Sequence, residues 1–199
     1  MFKFRNVIHH FDKKSEKYDL SSKTLPWSLI RYFESSIILK FIGKIKNKII
    51  LDVGSGSGYY SKIMIKKKAK MVFAIDASKK MLNQIKDKKI KKIYQNAENF
   101  SLKKKFEVII CAGLLEFVGS PQKVLKSIRK VSKTNTKLII LYPSNNFLAK
   151  IYKFYHLRNG VKIILFDEDK IKDLFKKTGW KIFKSKNIFF SNIMLLRPI

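Results

Sequence analysis

The chain has 199 residues, of which 46% are hydrophobic, so it is long enough to bury the core of one domain. No apolar run reaches the roughly 18 residues of a membrane-spanning helix. The N-terminal segment Met1–Arg5 lacks the long apolar region of a signal peptide, and we therefore expect a cytoplasmic protein. The single cysteine, Cys111, excludes an intrachain disulfide and disfavours a cysteine-based metal cluster, so no bound metal is expected.

The net charge of +30 arises from 44 basic and 14 acidic residues, and only 5 of the basic residues are arginines. Such a charge attracts RNA, an anionic membrane surface or an acidic protein. Sites that grip phosphate favour the bidentate fork of arginine, however, and the lysines are spread over the whole sequence. We expect them to fall on the solvent faces of several elements and to give weak, non-specific polyanion binding. The lysine-rich runs are 44–48, 66–70, 86–92, 103–105, 123–133 and 170–177.

The segment Ile49–Gly58 is an apolar run that ends in Asp52 and is followed by glycines at alternate positions. The run predicts a buried strand, and residues 59–67 predict the helix after it. Glycines at such a turn let a ligand approach the backbone, and the helix N-terminus supplies free N–H groups. Dinucleotide-binding dehydrogenases use G-x-G-x-x-G, but Tyr59 stands where the third glycine would be required. The pattern is therefore G-x-G-x-G, formed by Gly54, Gly56 and Gly58.

A second apolar run, Met71–Ile75, ends in Asp76, 18 residues beyond Gly58. One helix fits between the two predicted strands, which is the length of a βαβ unit. A carboxylate at the tip of the second strand can accept hydrogen bonds from both ribose hydroxyls of a nucleoside. Residues 77–85 then predict a further helix, with apolar side chains at helical spacing.

Together these segments resemble the class I S-adenosylmethionine (SAM) methyltransferases. The Asp52–Gly58 loop resembles motif I of that family, and "AIDASKKML" at 74–82 resembles its G-V-D-x-S-x-x-M-L turn. The resemblance implies that SAM is the cofactor and that the loop lies under its methionine and ribose. It also implies that Asp52 contacts polar groups of the ligand and that Asp76 contacts the ribose.

The resemblance continues through two more predicted strands. Residues 90–94 predict the third strand, and Asn96 follows it where relatives usually carry an acid that touches adenine. Residues 106–133 resemble the family's fourth strand and next helix, which implies that the backbone at 112–114 lines the methionine end of SAM. The expected cofactor contacts are Asp52, Gly54, Ser55, Gly56, Gly58, Asp76, Ala77, Asn96, Ala97, Glu98, Ala112, Gly113 and Leu114.

The acceptor site is expected outside these loops. "FDKKSEKYD" at Phe11–Asp19 resembles the lead-in of small-molecule methyltransferases, including quinone-biosynthesis and malonyl-carrier-protein enzymes, and implies that Tyr18 lies near the ligand. The segment 144–167 holds Tyr152, Tyr155, His156 and Arg158, and aromatic residues there typically wall the acceptor pocket of this fold. His156 is a candidate general base because an imidazole titrates near neutral pH. The alternative is a surface or packing role for His156 and a packing role for Tyr18.

The expected fold is an α/β, Rossmann-like, three-layer αβα sandwich. The resemblance implies a sheet of seven strands in the family order 3-2-1-4-5-7-6, mostly parallel, with strand 7 antiparallel. Residues 137–142 predict strand five, and 180–186 and 188–196 predict the last two strands. We expect a single domain over residues 1–199: a helical lid at about 1–45 that includes an amphipathic helix at 27–42, a SAM-binding core at 46–143, and a substrate-side segment with the last strands at 144–199.

The function implied by the resemblance is methyl transfer from SAM to a small-molecule or carrier-bound acceptor, in which the protein mainly positions the two partners. An RNA methyltransferase is the alternative that the basic composition favours. The Asp/Asn-Pro-Pro-Tyr/Phe loop of exocyclic-amine enzymes is absent, however, since that place reads Cys111–Leu115, and Cys111 lacks the neighbouring proline of the enzymes that form a cytosine adduct. A third alternative is a SAM-binding protein without transferase activity.

Overall fold

The computed structural model describes residues 6–13, 15, 24–25 and 27–199. Its seven strands form one sheet in the order β3-β2-β1-β4-β5-β7-β6. All neighbouring strands from β3 to β5 are parallel, and β7 runs antiparallel to both β5 and β6, as expected. The strands are β1 Ile49–Val53, β2 Met71–Asp76, β3 Ile90–Tyr94, β4 Phe106–Ala112, β5 Ser132–Pro143, β6 Trp180–Ile188 and β7 Ser191–Pro198.

Helices cover both faces of this sheet. Three of them begin at side chains that accept a backbone N–H: Ser78, Ser120 and Asn146. None of the helices in the described part of the chain combines the length and the apolar character needed to cross a bilayer. The helices are α1 at 6–13, α2 Trp27–Ile42, α3 Tyr59–Lys66, α4 Lys79–Asn83, α5 Pro121–Lys130, α6 Phe147–Arg158 and α7 Glu168–Lys177.

The core lies on the two sides of the central strands. Alternate side chains of β1 face opposite ways, so Leu51 packs in the cluster of α5 and α7, whereas Ile50 packs in the cluster of α2, α3 and α4. The central strands are buried on both faces, which explains why they are nearly continuous apolar runs. The carboxyl ends of the parallel strands therefore meet at one edge of a rigid sheet.

Several element boundaries differ from the sequence prediction. Strand β5 begins at Ser132 instead of Lys137, because Ser132 already pairs with Phe106. The extra β5 residues before Lys137 form an irregularity, which the Thr136 hydroxyl closes by donating to the Phe106 carbonyl at 2.6 Å. Helix α4 ends at Asn83, before the predicted limit at residue 85. Strand β6 includes Ile188, which was assigned to the last strand, because Ile188 pairs with Ser191 across a two-residue turn.

Several of the lysine runs lie close together at one edge of the sheet. In a parallel sheet the segments that precede the strands lie at the amino edge, and most lysine runs belong to these segments. Backbone bonds join them directly: Lys70 N–H donates to Lys48 O at 2.8 Å, and Val72 N–H to Lys89 O at 3.0 Å. Lys48 and Lys133 both pair with Glu107 there. The runs 44–48, 66–70, 86–92 and 103–105 thus form a basic edge at the end of the sheet opposite the carboxyl ends of the parallel strands, whereas most lysines of 123–133 and 170–177 lie on α5 and α7.

Candidate active site

A cavity of about 390 Å³ opens at the carboxyl ends of β1, β2, β4 and β5. This is the edge at which open α/β sheets bind ligands. One end of the cavity is formed by the glycine loop and the other by aromatic side chains. Of the predicted cofactor contacts, the lining includes Gly54, Ser55, Gly56, Asp76, Ala77, Ala97, Ala112, Gly113 and Leu114.

Asp76 and the glycine loop form the first end of the cavity. One oxygen of the Asp76 carboxylate accepts the Gly56 N–H at 2.8 Å, and the other accepts the Ser78 N–H at 2.8 Å. Burial raises the pKa of the Asp76 carboxyl, and these backbone donors oppose that shift. Each carboxylate oxygen keeps a further lone pair, so the group can still accept from ligand hydroxyls. The buried Ser55 hydroxyl, which also lines the cavity, has no hydrogen-bond partner within the described residues.

These features fit SAM, because the glycine loop lets a ligand approach the backbone closely and the tip of β2 offers a carboxylate that can accept further hydrogen bonds. Gly56 has φ +54°, in the left-handed region that glycine adopts without strain. A Cβ at Gly56 would lie 3.2 Å from Met81 Cε, so a side chain there would crowd the loop. The loop and Asp76 would therefore hold the nucleoside and methionine parts of the cofactor.

Asp52 and Gly58 lie beside the cavity and do not line it. The Asp52 carboxylate accepts the Ser61 hydroxyl at 2.6 Å and so anchors the first turn of α3. Burial raises the pKa of Asp52 to about 6. Gly58 has φ +83°, and a Cβ there would lie 2.8 Å from Ile85. Both residues thus help to hold the turn in shape, and the ligand contact expected of Asp52 stays a prediction.

Asn96 and Glu98 also lie outside the lining, although Ala97 between them contributes to it. The Asn96 side-chain oxygen accepts the Glu98 N–H at 2.9 Å. The Glu98 carboxylate accepts the N–H groups of Gly119, at 2.8 Å, and Ser120, at 3.2 Å. The Glu98 side chain thus joins the loop after β3 to the start of α5, and the adenine contact expected of this loop stays a prediction.

The second end of the cavity is aromatic. Tyr152 stacks on Phe190 with ring centroids 5.4 Å apart, and Trp27 meets Phe190 edge-on at 6.1 Å. His156 is buried, and its ring lies 4.4 Å from that of Tyr152. Tyr155 also lines the cavity, as predicted. This end therefore offers flat apolar walls with one imidazole.

Two other predictions for the acceptor end have different outcomes. Arg158 does not line the cavity, and its guanidinium lies over the Phe154 ring at 5.9 Å. Tyr18 lies outside the described residues. Phe11, from the same predicted motif, does line the cavity.

Two buried carboxyls in the cavity were not predicted from the sequence. Glu34, on α2, accepts the hydroxyls of Ser191 and, at 3.4 Å, Tyr60. Glu116 is only 2% exposed, and its Oε2 has no hydrogen-bond partner within the described residues. Burial is the main cause that raises the pKa of Glu116 to about 8, and the charge of Glu34 adds to it. Burial likewise raises the pKa of Glu34. Glu116 is consequently protonated at neutral pH.

A signal for these two residues exists in the sequence. Glu34 is four residues before Ile38, so it lies on the apolar face of α2. Glu116 interrupts the apolar run Leu114–Val118 after β4. An acid within an apolar stretch is rarely buried unless it is paired or has a role, and this pattern would have identified both.

Comparison with known proteins identifies the family. Residues 27–185 match the family model described as "Methyltransferase domain". Uncharacterized protein MJ1123 of Methanocaldococcus jannaschii is 27% identical over 197 residues, which cover 92% of this chain and 86% of that protein. The ubiquinone biosynthesis O-methyltransferase of Coxiella burnetii is 31% identical over 130 residues, 62% of this chain and 53% of that enzyme. The chain thus spans about half the length of that relative.

Solved structures share the fold at low sequence identity. The complex of DhpI with SAH has a TM-score of 0.77 at 13% identity, and the match covers 98% of this chain and 97% of DhpI. Magnesium protoporphyrin IX methyltransferase from Synechocystis PCC 6803 with bound SAH has a TM-score of 0.69 at 16% identity, over 88% of each chain. The chain belongs to the methyltransferase domain family and is a class I SAM-dependent methyltransferase, with SAM as its cofactor.

Proposed function

We propose that the acceptor is a small molecule, free or attached to a carrier, and that it occupies the aromatic end of the cavity. The observation that carries the proposal is that one cavity joins the glycine loop and Asp76 to the wall formed by Trp27, Tyr152 and Phe190. A mostly apolar pocket with a few polar groups is typical of small-molecule sites. The similarity to the Coxiella burnetii ubiquinone biosynthesis O-methyltransferase supports the same class of acceptor.

The cofactor end would hold SAM through the loop Gly54–Gly56, Asp76 and the backbone at Gly113. When bound, SAM supplies a methyl group that a nucleophile can attack directly. The contribution of the chain is then to orient the acceptor in line with that methyl and to exclude water, since proximity alone lowers such barriers substantially.

The polar groups at the acceptor end have assignable roles. The protonated carboxyl of Glu116 can donate a hydrogen bond to an oxygen atom of the methyl acceptor, because burial keeps this carboxyl neutral at pH 7. His156 is the proposed base for an acceptor whose proton must leave, and its buried position at the cavity wall supports that role. The aromatic rings around it would hold a flat acceptor against the methyl donor.

The division of the chain follows from the same proposal. We assign about 1–45 to a lid, 46–143 to the SAM-binding core, and 144–199 to the acceptor side and last strands. Val7 and Phe11 of α1 line the cavity, which supports the lid. Asp12 accepts a hydrogen bond from the Ser78 hydroxyl, and this bond ties α1 to the start of α4 beside the cofactor loop.

RNA methylation is the second candidate, favoured by two specific observations. The tRNA U34 carboxymethyltransferase of Helicobacter pylori is 31% identical over 121 residues, 54% of this chain and 46% of that enzyme. The basic edge offers a surface for a polyanion. That edge, however, lies at the end of the sheet opposite the cavity, so phosphate contacts there would hold RNA away from the methyl donor. A small acceptor therefore agrees better with the geometry.

The test is turnover of SAM labelled in its methyl group with a cell extract as the source of acceptor. We expect the label in a small or carrier-bound product that survives nuclease treatment of the extract. Label that disappears with nuclease treatment would establish the RNA alternative instead. Absence of any transferred label, with SAM binding intact, would leave a SAM-binding protein without transferase activity.

A further inference from the structure

Helix α6 has apolar side chains on two opposite sides. On the inner side Ala149 and His156 are buried. On the outer side Phe147, Ile151 and Phe154 are 76%, 53% and 61% exposed. At 3.6 residues per turn, these three outer side chains fall within about a sixth of the helix circumference. The helix therefore presents an apolar sector to solvent in addition to the one that it packs inward.

This sector continues onto the neighbouring elements. Asn146, at the start of α6, donates its side-chain N–H to the Phe189 carbonyl at 2.9 Å. The Phe189 ring lies 6.2 Å from that of Phe33 on α2. We call the resulting surface the apolar face. Its exposed members are Leu29, Tyr32, Phe33, Phe147, Leu148, Ile151, Phe154 and Phe189.

Phe189 is held in an unfavourable backbone conformation on this surface. It has φ +53° in the two-residue turn between β6 and β7. This left-handed region is uncommon for a bulky residue and is usually occupied by glycine or asparagine. The ring is 49% exposed, so burial of the side chain offsets little of the strain. Strain of this kind occurs at functional sites, which indicates a role for the exposed ring.

The charges around the apolar face are positive. Lys150, Lys153 and Arg158 lie on α6, which contains no acidic residue. We propose that the apolar face docks on the surface of an anionic lipid bilayer, with α6 lying in the plane of the interface. An amphipathic helix that combines large apolar side chains with lysines binds such surfaces in two ways. Its apolar side chains insert into the bilayer, and its lysines are attracted to the anionic lipid headgroups.

Other occupants fit the apolar face less well. RNA could stack on the aromatic members of the apolar face, but the aliphatic side chains Leu29, Leu148 and Ile151 lie among them and offer no platform for a base. A second copy of the chain docked on this face would bring the lysines Lys150 and Lys153 of the two copies into the same interface. Lysine is depleted in interfaces between proteins. A bilayer accommodates aliphatic and aromatic side chains together and neutralises the lysines at its headgroups.

Docking also places the cavity mouth at the membrane. Trp27 and Tyr155 are partly exposed beside the apolar face and line the cavity. Tryptophan and tyrosine favour the boundary between headgroups and acyl chains. An apolar acceptor could therefore pass from the bilayer into the cavity. This last step rests on the proposed function, whereas docking itself does not.

The test is sedimentation of the full chain with vesicles of phosphatidylcholine, and with vesicles containing equal amounts of phosphatidylcholine and phosphatidylglycerol. We expect binding to the anionic vesicles and much weaker binding to the neutral ones. The variant Phe147→Gln/Ile151→Gln/Phe154→Gln should lose at least roughly tenfold in vesicle affinity, because glutamine preserves the helix but removes the inserted area. Phe183→Gln, on β6, is the control, since Phe183 is similarly exposed, at 50%, outside the apolar face.

A second variant separates docking from folding. In Phe189→Asn the new residue tolerates the left-handed backbone, so the melting temperature should be maintained or rise while vesicle affinity falls. SAM affinity should be unchanged in both variants, because none of the substituted residues lines the cavity. Equal vesicle binding by the wild type and the α6 variant would overturn the proposal. The proposal would also be overturned if the wild type bound no vesicles and the α6 variant instead lost RNA binding or self-association.

Discussion

The Asp76 carboxylate accepts the Gly56 N–H at 2.8 Å, so the tip of β2 holds the loop that follows β1. The same carboxylate fixes the start of the next connection through Ser78 N–H. One side chain thereby joins two strand ends around the place where the cofactor ribose is expected. Because the Asp76 carboxylate oxygens already accept these backbone N–H groups, the protein holds the loop in position without help from a ligand.

Gly56→Val should abolish tight SAM binding. The substitution places a branched side chain at φ +54° on a cavity-lining position, and we expect affinity to fall by at least roughly a hundredfold. Isothermal titration calorimetry measures this. The matched control is Gly160→Val, at φ +76° with no atom near the added Cβ and away from the cavity. It carries the same kind of backbone strain but should bind SAM normally, and wild-type affinity in Gly56→Val would refute the assignment of the loop.

Replacing Glu116 should change the dependence of stability on pH. Its pKa is raised from 4.5 in the unfolded chain to about 8 in the fold. Folding therefore binds a proton, so this group's contribution to the free energy of unfolding is complete below about pH 4.5 and is lost as pH rises through about 8. Glu116→Gln should flatten this slope and stabilise the protein at pH 7 by on the order of 3 kcal/mol.

Urea unfolding at several pH values checks this prediction, with Glu107→Gln as the control. Lys133 and Lys48 lower the pKa of Glu107 to about 2. The stabilisation that Glu107 provides is thus present above pH 4.5 and lost only as pH falls toward 2. The control variant should leave the slope between pH 4.5 and 8 unchanged. A slope in Glu116→Gln as steep as in the wild type would show that this carboxyl is not the buried proton acceptor.

His156→Ala should lower methyl transfer more than it weakens SAM binding. Loss of a general base typically lowers turnover by roughly a hundredfold or more, whereas the cofactor end of the cavity remains intact. Tyr18→Ala should act in the same direction, and His9→Ala, at an exposed position of α1, is the control. Turnover with labelled SAM and calorimetry give the two quantities. Normal activity in both His156→Ala and Tyr18→Ala would place the acceptor pocket elsewhere.

The basic edge should bind polyanions weakly and without regard to sequence. Such binding follows counterion release, so its affinity should fall steeply with salt for total cellular RNA and for an unrelated polyanion of equal length alike. Lys103→Gln/Lys104→Gln, at this edge, should reduce both equally. Selective retention of RNA at about 0.15 M salt would instead favour RNA methylation.

The sequence predicted most of the fold because its parallel strands are buried on both faces. Runs such as Ile49–Val53 and Phe106–Ala112 are then nearly continuous apolar segments, and the glycine loop and Asp76 fix their order. The ends of strands were less predictable where polar side chains form their hydrogen bonds only in the folded chain. The strand at Ser132 depends on a bulge that Thr136 closes, and no local pattern announces it.

The site was predicted in part. Residues that line the cavity through their backbone, such as Gly56 and Gly113, follow from the motif alone. The direction of a polar side chain depends on its neighbours, so the engagement of Asp52 by Ser61 and of Glu98 by the start of α5 could not be inferred. The Glu116 oxygen that has no partner among the described residues likewise arises only when several elements close over it.

The most direct test of the account is a crystal structure with S-adenosylhomocysteine. We expect its ribose hydroxyls within about 3 Å of the Asp76 carboxylate, and its sulfur directed toward the aromatic end at Tyr152 and His156. An open volume should remain between the sulfur and Phe190 for the acceptor. A ligand whose ribose lies away from Asp76, or whose sulfur faces away from the aromatic wall, would contradict the account.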